Sequence, residues 1–204
     1  MKTQRVYLDT SVIGGCFDDE FKVWSTALID DISNRLFRGV TSEVVEAEIA
    51  DAPKNVREKF IEILNMNPEV LRVNAEVIGL VDMYLEHKIL AERFRNDMLH
   101  IALAAIADVD ILVSWNFRHI VRYDKIRQFN AVNLEQGYHT LDIYIHHGRW
   151  QVMEKIDAVE MVRKIRDKQH EDITGKSPQE IIDYFQRKAV EVAQKVGALE
   201  SPRR

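Results

Sequence analysis

Three carboxylates and an amide carry the chemistry this sequence offers: Asp9, Glu48, Asp97 and Asn116. Each is expected at the same edge of an α/β fold. Asp9 closes a short strand over Arg5 to Leu8, and Glu48 rides on a helix after a second strand. Asp97 opens an apolar helix, and Asn116 ends the strand that follows that helix. Open α/β sheets gather their ligands at the carboxyl ends of the strands, so the four side chains can share one crevice. An all-oxygen set of this kind, with no cysteine and no histidine cluster beside it, suits a hard cation such as Mg2+ or Mn2+. Asp9, Glu48 and Asp97 are the expected metal ligands, with Asn116 as a fourth catalytic candidate. Such a metal activates water and stabilises the charge that develops on a phosphate during hydrolysis. Taken singly, each residue has a plainer explanation: Asp9 caps a helix, Asp97 complements a helix dipole, Asn116 makes a turn. As a set they point to a site, because Asp108 and Asp110 fall at the opposite end of the same strand.

The stretch Asn96 to Asn116, NDMLHIALAAIADVDILVSWN, must position the cluster. Met98 to Ile106 is apolar almost all the way round, which predicts a helix covered on more than one side. Ile111, Leu112 and Val113 read as a strand of a parallel sheet buried on both faces. If helix and strand run antiparallel, Asp97 lies at the same end of the sheet as Ser114 to Asn116. His100 lies one turn from Asp97, either as an outer group of the site or as a packed core histidine. Trp115 and Phe117 either stack on a base or pack in the core, core packing being the commoner role.

The remaining elements follow from periodicity and punctuation. Phe21 to Asn34 reads as an amphipathic helix after a turn kept loose by Gly14-Gly15. Leu36 to Val40 is a strand, and Thr41-Ser42 caps a helix through Ala50 on which Val44, Val45 and Glu48 share a face. Glu48 sits about 9 Å along that helix, at 1.5 Å per residue, so the helix must lean for its carboxylate to reach the others. Pro53 opens a helix with Val56, Phe60, Ile63 and Leu64 as its stripe, stopped by Asn67-Pro68. Val70 to Val73 is a short strand, Glu76 to Glu86 a helix, Val121 to Leu134 another, and Leu141 to Ile145 an edge strand. His146-His147-Gly148 ends the body. Beyond Met153 only helices are expected, one ending near Gly175 and one opened by Ser177-Pro178-Gln179-Glu180, which has the form of a capping box.

Composition bounds the possibilities. In 204 residues, 46% are apolar, enough for a real core, and the net charge is −5. The charge is uneven: residues 1 to 152 carry 17 Lys+Arg against 23 Asp+Glu, residues 153 to 204 carry 11 against 10. An acidic body is a poor general binder of nucleic acid, so any such role needs a local basic rim or a metal. Arg93, Arg95, Arg118 and Arg122 flank the polar cluster. A lone cysteine, Cys16, excludes an internal disulfide and a cysteine-based zinc site. No apolar run approaches ~18 residues and the amino terminus lacks the form of a signal peptide, so no membrane partner and a cytoplasmic location are expected.

VYLDTSVIGG, TSEVVEAEI and NDMLHIALAAIADVDILVSWNFRHI together resemble, in order and spacing over residues 4 to 145, the successive motifs of PIN-domain proteins of the VapC-like toxin type. The resemblance implies a Rossmann-like α/β/α sandwich with a mostly parallel sheet. It also implies Mg2+- or Mn2+-dependent endoribonuclease activity on RNA, restrained by an antitoxin in a toxin-antitoxin system, and a homodimer. Asp9, Glu48 and Asp97 match the first three acidic positions. Asn116 stands where a fourth acid is usual, and His119 where a further aspartate is often found, which departs from the pattern by fewer negative charges. Residues 153 to 204 resemble the small helical antitoxins that partner such toxins, through DAVEMVRKIRDK and SPQEIIDYFQRKA. The sequence thus divides into a PIN-like nuclease domain over 1–148 and an antitoxin-like helical segment over 153–204. The segment's arginines Arg163, Arg166 and Arg187 are candidates to enter the acidic cluster, with Arg187 and Arg166 first, since a guanidinium stays charged and bridges carboxylates. Steric cover without an arginine is the alternative. Other readings of the whole chain are a non-catalytic PIN-like interaction module with an incomplete acidic site, and a nuclease acting on DNA. The tail read blandly is a helical extension that completes the fold or a dimer interface.

Overall fold

The structure, a computed structural model, describes residues 3–144 and 158–199. Its centre is a five-stranded sheet in the order β3-β2-β1-β4-β5, parallel throughout. The strands are β1 (Arg5–Leu8), β2 (Arg38–Ser42), β3 (Glu69–Leu71), β4 (Ile111–Val113) and β5 (Asp142–Tyr144). Parallel pairing requires crossovers. These are supplied by α1 (Thr10–Gly15) and α2 (Lys22–Ser33), then α3 (Glu43–Ala50) and α4 (Lys54–Asn65), then α5 (Ala75–Glu86) and α6 (Arg95–Ile106), then α7 (Tyr123–Glu135). The result is an α/β fold consistent with a Rossmann-like sandwich. Strand order reverses direction at β1, whose neighbours are β2 on one side and β4 on the other. That reversal makes the carboxyl ends of β1 and β4 the place where a crevice opens.

The central strands are buried on both faces, as a parallel sheet demands: Val6, Tyr7, Leu8, Val40 and Leu112 are almost fully enclosed. Helix α6 is buried from Arg95 to Ala105, which accounts for its nearly unbroken apolar sequence. It runs back across the sheet and delivers the chain to β4, as the sequence predicts. The amino end of the sheet is tied off separately. Arg5 holds Glu69 at 2.6 and 3.1 Å and the carbonyl of Ala107 at 2.7 Å, while the Arg5 amide donates to Asp110 at 2.7 Å. Asp110 therefore serves structure at the end remote from the crevice.

Several boundaries differ from the sequence reading. The second strand runs Arg38–Ser42, not Leu36 to Val40, because pairing of Arg5 with Arg38 sets the register and Leu36 stays 62% exposed. The third strand is Glu69–Leu71, not Val70 to Val73, and Val73 is instead tied through its amide to Glu43 at 3.1 Å. Ser42, rather than the Thr41-Ser42 pair, caps α3, accepting from the Val45 amide at 3.3 Å. The expected boundary at His146-His147-Gly148, the start at Met153 and the last residue of the edge strand, Ile145, lie outside the described residues.

Gly14-Gly15 does not loosen a turn. Both residues belong to α1, and a Cβ on Gly15 would meet Ser25 Oγ and stand 2.7 Å from Trp115 Nε1. The glycine lets α1 lie against Trp115, whose indole donates to Ser25 Oγ at 2.9 Å and stacks on Phe21 at 5.3 Å between centroids. Trp115 is thus a core residue. Gly15→Ala is expected to destabilise the protein by about 1–3 kcal/mol through overpacking. A lowered midpoint in chemical denaturation would show it; an unchanged midpoint would refute the close approach.

The tail forms α8 (Ala158–Ile173) and α9 (Pro178–Leu199). The capping box is made: the Ser177 amide and hydroxyl donate to Glu180 at 2.8 and 2.7 Å, and the Glu180 amide donates back to Ser177 Oγ at 3.4 Å. Both helices dock on the body of the same chain. Helix α9 lies along α3, burying Ile181, Ile182, Phe185 and Val192, and α8 lies against α1 and the turn before α6. No helix of the described residues is long and apolar enough to cross a membrane.

Candidate functional site

The switch point of the sheet brings together what the sequence proposes. Asp9 follows β1 at the N-cap position of α1 but makes no capping bond with its side chain. Its Oδ2 accepts instead from Ser11 Oγ at 2.6 Å and Ser114 Oγ at 2.7 Å. Glu48, the sixth residue of α3, does reach the crevice: its Oε1 accepts from Asn96 Nδ2 at 3.2 Å. Asp97, in the first turn of α6, accepts from Asn116 Nδ2 at 2.6 Å. All four residues are buried, Asp9 and Glu48 completely. The antiparallel run of α6 and β4 is what joins Asp97 to Asn116.

Into the middle of these carboxylates goes the guanidinium of Arg166, from α8. Its Nη2 lies 2.6 Å from Asp9 Oδ1, its Nε 2.6 Å from Glu48 Oε1, and its Nη1 donates to Asp97 Oδ1. Arg166 is itself 5% exposed. Of the two preferred arginines, only this one enters. Arg187 is exposed and its Nε turns back to the Asp183 carbonyl at 3.2 Å, and Arg163 lies at the rim. The buried side of α8 comprises Val162, Ile165, Arg166, Gln169 and Ile173, a helical repeat that carries the arginine inward with the apolar residues. Gln169 adds a further link, its Oε1 accepting from Asn96 Nδ2 at 2.6 Å.

The electrostatics follow from this arrangement. Burial is the largest influence on the carboxyl of Asp9 and would raise it, but the Arg166 guanidinium and the other polar neighbours together outweigh it and hold the group below its ordinary value. Glu48 is lowered in the same way, against its own burial, by Arg166 and its other polar neighbours together. Burial works against the charge of Arg166, and the three carboxylates more than restore it. Burial pushes the Tyr7 phenol well up, so it stays a neutral donor.

The site is larger than the sequence reading. Tyr7, Ser11, Asn96, Ser114 and Gln169 belong to it, as does His100, whose ring is fully buried between Tyr7 and the carboxylates. Ligand atoms of Asp9, Glu48 and His100 all lie within 4.8 Å of one another. His119 stands with Nδ1 3.1 Å from Asp97 Oδ2, opposite Arg166. Spacing gave a hint for His100, three residues after Asp97 on one helix face. The hydroxyls of Tyr7, Ser11 and Ser114 carried no such signal.

Beside the cluster a cavity of about 210 Å³ opens on Arg93, Phe94, Arg118, His119 and Arg163. Of the flanking arginines, Arg95 and Arg122 are engaged elsewhere, with Asp82 at 3.3 Å and Asp124 at 2.7 Å. Arg93 and Arg118 supply a basic rim to an otherwise acidic crevice. No family model, curated protein or solved structure matches this chain.

Two outcomes follow from the geometry. Arg166→Ala leaves three buried carboxylates without their cation and is expected to cost about 3–5 kcal/mol, less whatever water regains on entering. Thermal unfolding of the full chain would report it, with Asp97→Asn in the same chain recovering part of the loss. The second concerns pH. Because Asp9 and Glu48 are held low in the folded state, their contribution to stability is complete above the ordinary carboxylate value of ~4 and is lost as pH falls below it. The wild-type melting temperature should therefore fall more steeply below pH ~4 than that of Arg166→Ala; parallel profiles would contradict the assignment.

Proposed function

We propose that this chain is a PIN-like, divalent-metal-dependent endoribonuclease of the VapC-like toxin kind, held silent by its own antitoxin-like tail. The observation that carries the reading is a cation, the Arg166 guanidinium, sitting among Asp9, Glu48 and Asp97 at the switch point of a parallel sheet. A cluster that holds one cation so closely fits another, and a donor set rich in carboxylate oxygen suits Mg2+ or Mn2+. Asp9, Glu48 and Asp97 would hold the ion, which when bound would activate water and stabilise charge on a phosphate. Ser11 and Ser114 orient Asp9, and Asn116 orients Asp97. Arg93 and Arg118, on the rim of the cavity, would meet RNA phosphates, as a protein with an acidic body requires.

The rival reading, a non-catalytic interaction module, draws on Asn116 and His119 in positions where acids are usual. A DNA substrate is the other alternative, and a panel of single-stranded RNA and DNA decides between them. The homodimer remains part of the proposal on the resemblance alone, since Ile181, Ile182, Phe185 and Val192 of the tail are covered within the chain itself. Light scattering at micromolar concentration reads the oligomeric state.

The decisive experiment compares the full chain with its Arg166→Ala variant for cleavage of RNA in Mn2+ or Mg2+. The wild type should be nearly inert and the variant active. Adding Asp9→Asn or Asp97→Asn to the variant should reduce cleavage by about 10²-fold or more, since each removes charge that holds the metal. Undiminished cleavage in both would end the assignment of the site, and an Arg166→Ala variant that is inert and binds no metal would favour the non-catalytic module.

A further inference from the structure

We propose that His100 is a direct nitrogen ligand of the cation that takes the place of Arg166, so that the centre is a mixed nitrogen and oxygen site favouring Mn2+ over Mg2+. The inference rests on the reading of the site as a metal centre, and it changes what kind of centre that is. The carboxylates alone predict a hard, all-oxygen site; the imidazole does not fit that description.

The geometry fixes the ring's role. His100 Nε2 lies 2.8 Å from Arg166 Nη2, 3.3 Å from Glu48 Oε1 and 3.5 Å from Asp9 Oδ1. A guanidinium has only donors to offer, so at 2.8 Å the imidazole nitrogen must be the acceptor. The ring hydrogen then sits on Nδ1, which donates to Tyr7 Oη at 2.7 Å, and Tyr7 passes its own hydrogen to Ser42 Oγ at 2.6 Å. Ser42 is in turn pinned as the cap of α3, accepting from the Val45 amide. The lone pair of Nε2 is therefore held facing the cation's place by a chain of buried groups, with no exposed member. Metal-binding histidines are held in this way, through an outer partner on the second ring nitrogen that fixes both tautomer and orientation.

Distance and chemistry agree with ligation. Atoms of Asp9, Glu48 and His100 within 4.8 Å of one another are close to the ~4 Å span across which one ion with bonds of ~2.1 Å meets its ligands. Mg2+ takes oxygen donors and keeps much of its water, whereas Mn2+ is the first member of the transition-metal series whose affinity extends to nitrogen-containing sites, so a mixed donor set discriminates in its favour. A histidine that served only to accept from Arg166 would be needed in the closed state alone. The proposal requires it in the open one.

The test uses the full chain carrying Arg166→Ala, loaded with Mn2+ and read by pulsed electron paramagnetic resonance for coupling to 14N. Coupling is expected in this variant and should vanish when His100→Gln is added, with Mn2+ affinity by calorimetry falling about tenfold and Mg2+ affinity changing far less. Tyr7→Phe in place of His100→Gln should keep the coupling but weaken Mn2+ binding, as befits a positioning residue. Should the His100→Gln chain fail to fold, the spectrum of Arg166→Ala and that of its His119→Ala derivative decide the matter. Bound Mn2+ without nitrogen coupling, or coupling lost with His119 instead, overturns the proposal while leaving the nuclease reading intact. Absence of any bound metal overturns both.

Discussion

One buried cation among three buried carboxylates is the interaction to which the rest of this structure answers. Like charges at such range repel, and in a dry interior they shift toward protonation unless something opposes them. Here each carboxylate has neutral donors of its own: Ser11 and Ser114 for Asp9, Asn96 for Glu48, Asn116 for Asp97. The amino terminus of α6 adds a favourable dipole beside Asp97. These groups make the carboxylates tolerable, but one positive charge must still reach all three. The fork of Arg166 does so with separate nitrogens, a fit that the point charge of a lysine would not give.

If the centre holds a metal, inhibition by the tail is a competition between two cations for one place. Arginine in this position needs no long surface to be effective, because it is tethered and meets the site at the high effective concentration of an intramolecular ligand. Affinity of the tail as a whole comes from elsewhere, from the apolar stripe of α9 against α3, with Lys188 and Asp51 at 3.5 Å on its border. Division of labour of this kind separates holding from silencing. The stripe lies on the body, and a single side chain, Arg166, fills the acidic cluster.

Much of this was legible in the sequence, and what was not has physical reasons. The apolar helix over Met98 to Ile106 and the run Ile111 to Val113 announced a buried helix and a buried strand, and with them the edge where Asp97 and Asn116 meet. The second strand was read two residues early because Leu36 and Phe37 look like strand interior, while the register follows from the pairing of Arg5 with Arg38. Gly14-Gly15 reads as a loose turn because sequence shows freedom of the backbone but not the indole that presses on it. The hydroxyls of Tyr7, Ser11 and Ser114 were silent, since only the topology brings residues 7, 42 and 100, or 9, 11 and 114, into contact. Arg187 was preferred equally with Arg166 because closeness to an apolar stripe does not tell which neighbour lies within it. Only the packed face of α8 does, where Arg166 follows Val162 by four residues and precedes Gln169 by three.

The placement of Glu48 ties the tail to the site a second time. A carboxylate six residues into its helix reaches the sheet edge only if that helix leans inward. Ser42 fixes the first turn of α3 through its cap, and Glu43 anchors the same turn to the Val73 amide. Past that turn α3 is covered by α9, so the tail whose arginine enters the acidic cluster also packs on the helix that supplies one of its carboxylates. A tail that leaves would thus do two things at once: it withdraws the guanidinium, and it uncovers the helix that aims Glu48. The open site must then be held in shape from within, by the cap at Ser42, by Asn96 on Glu48, and by the chain from Ser42 through Tyr7 to His100. That the same serine both starts α3 and orients the imidazole gives the bare site a frame independent of the tail.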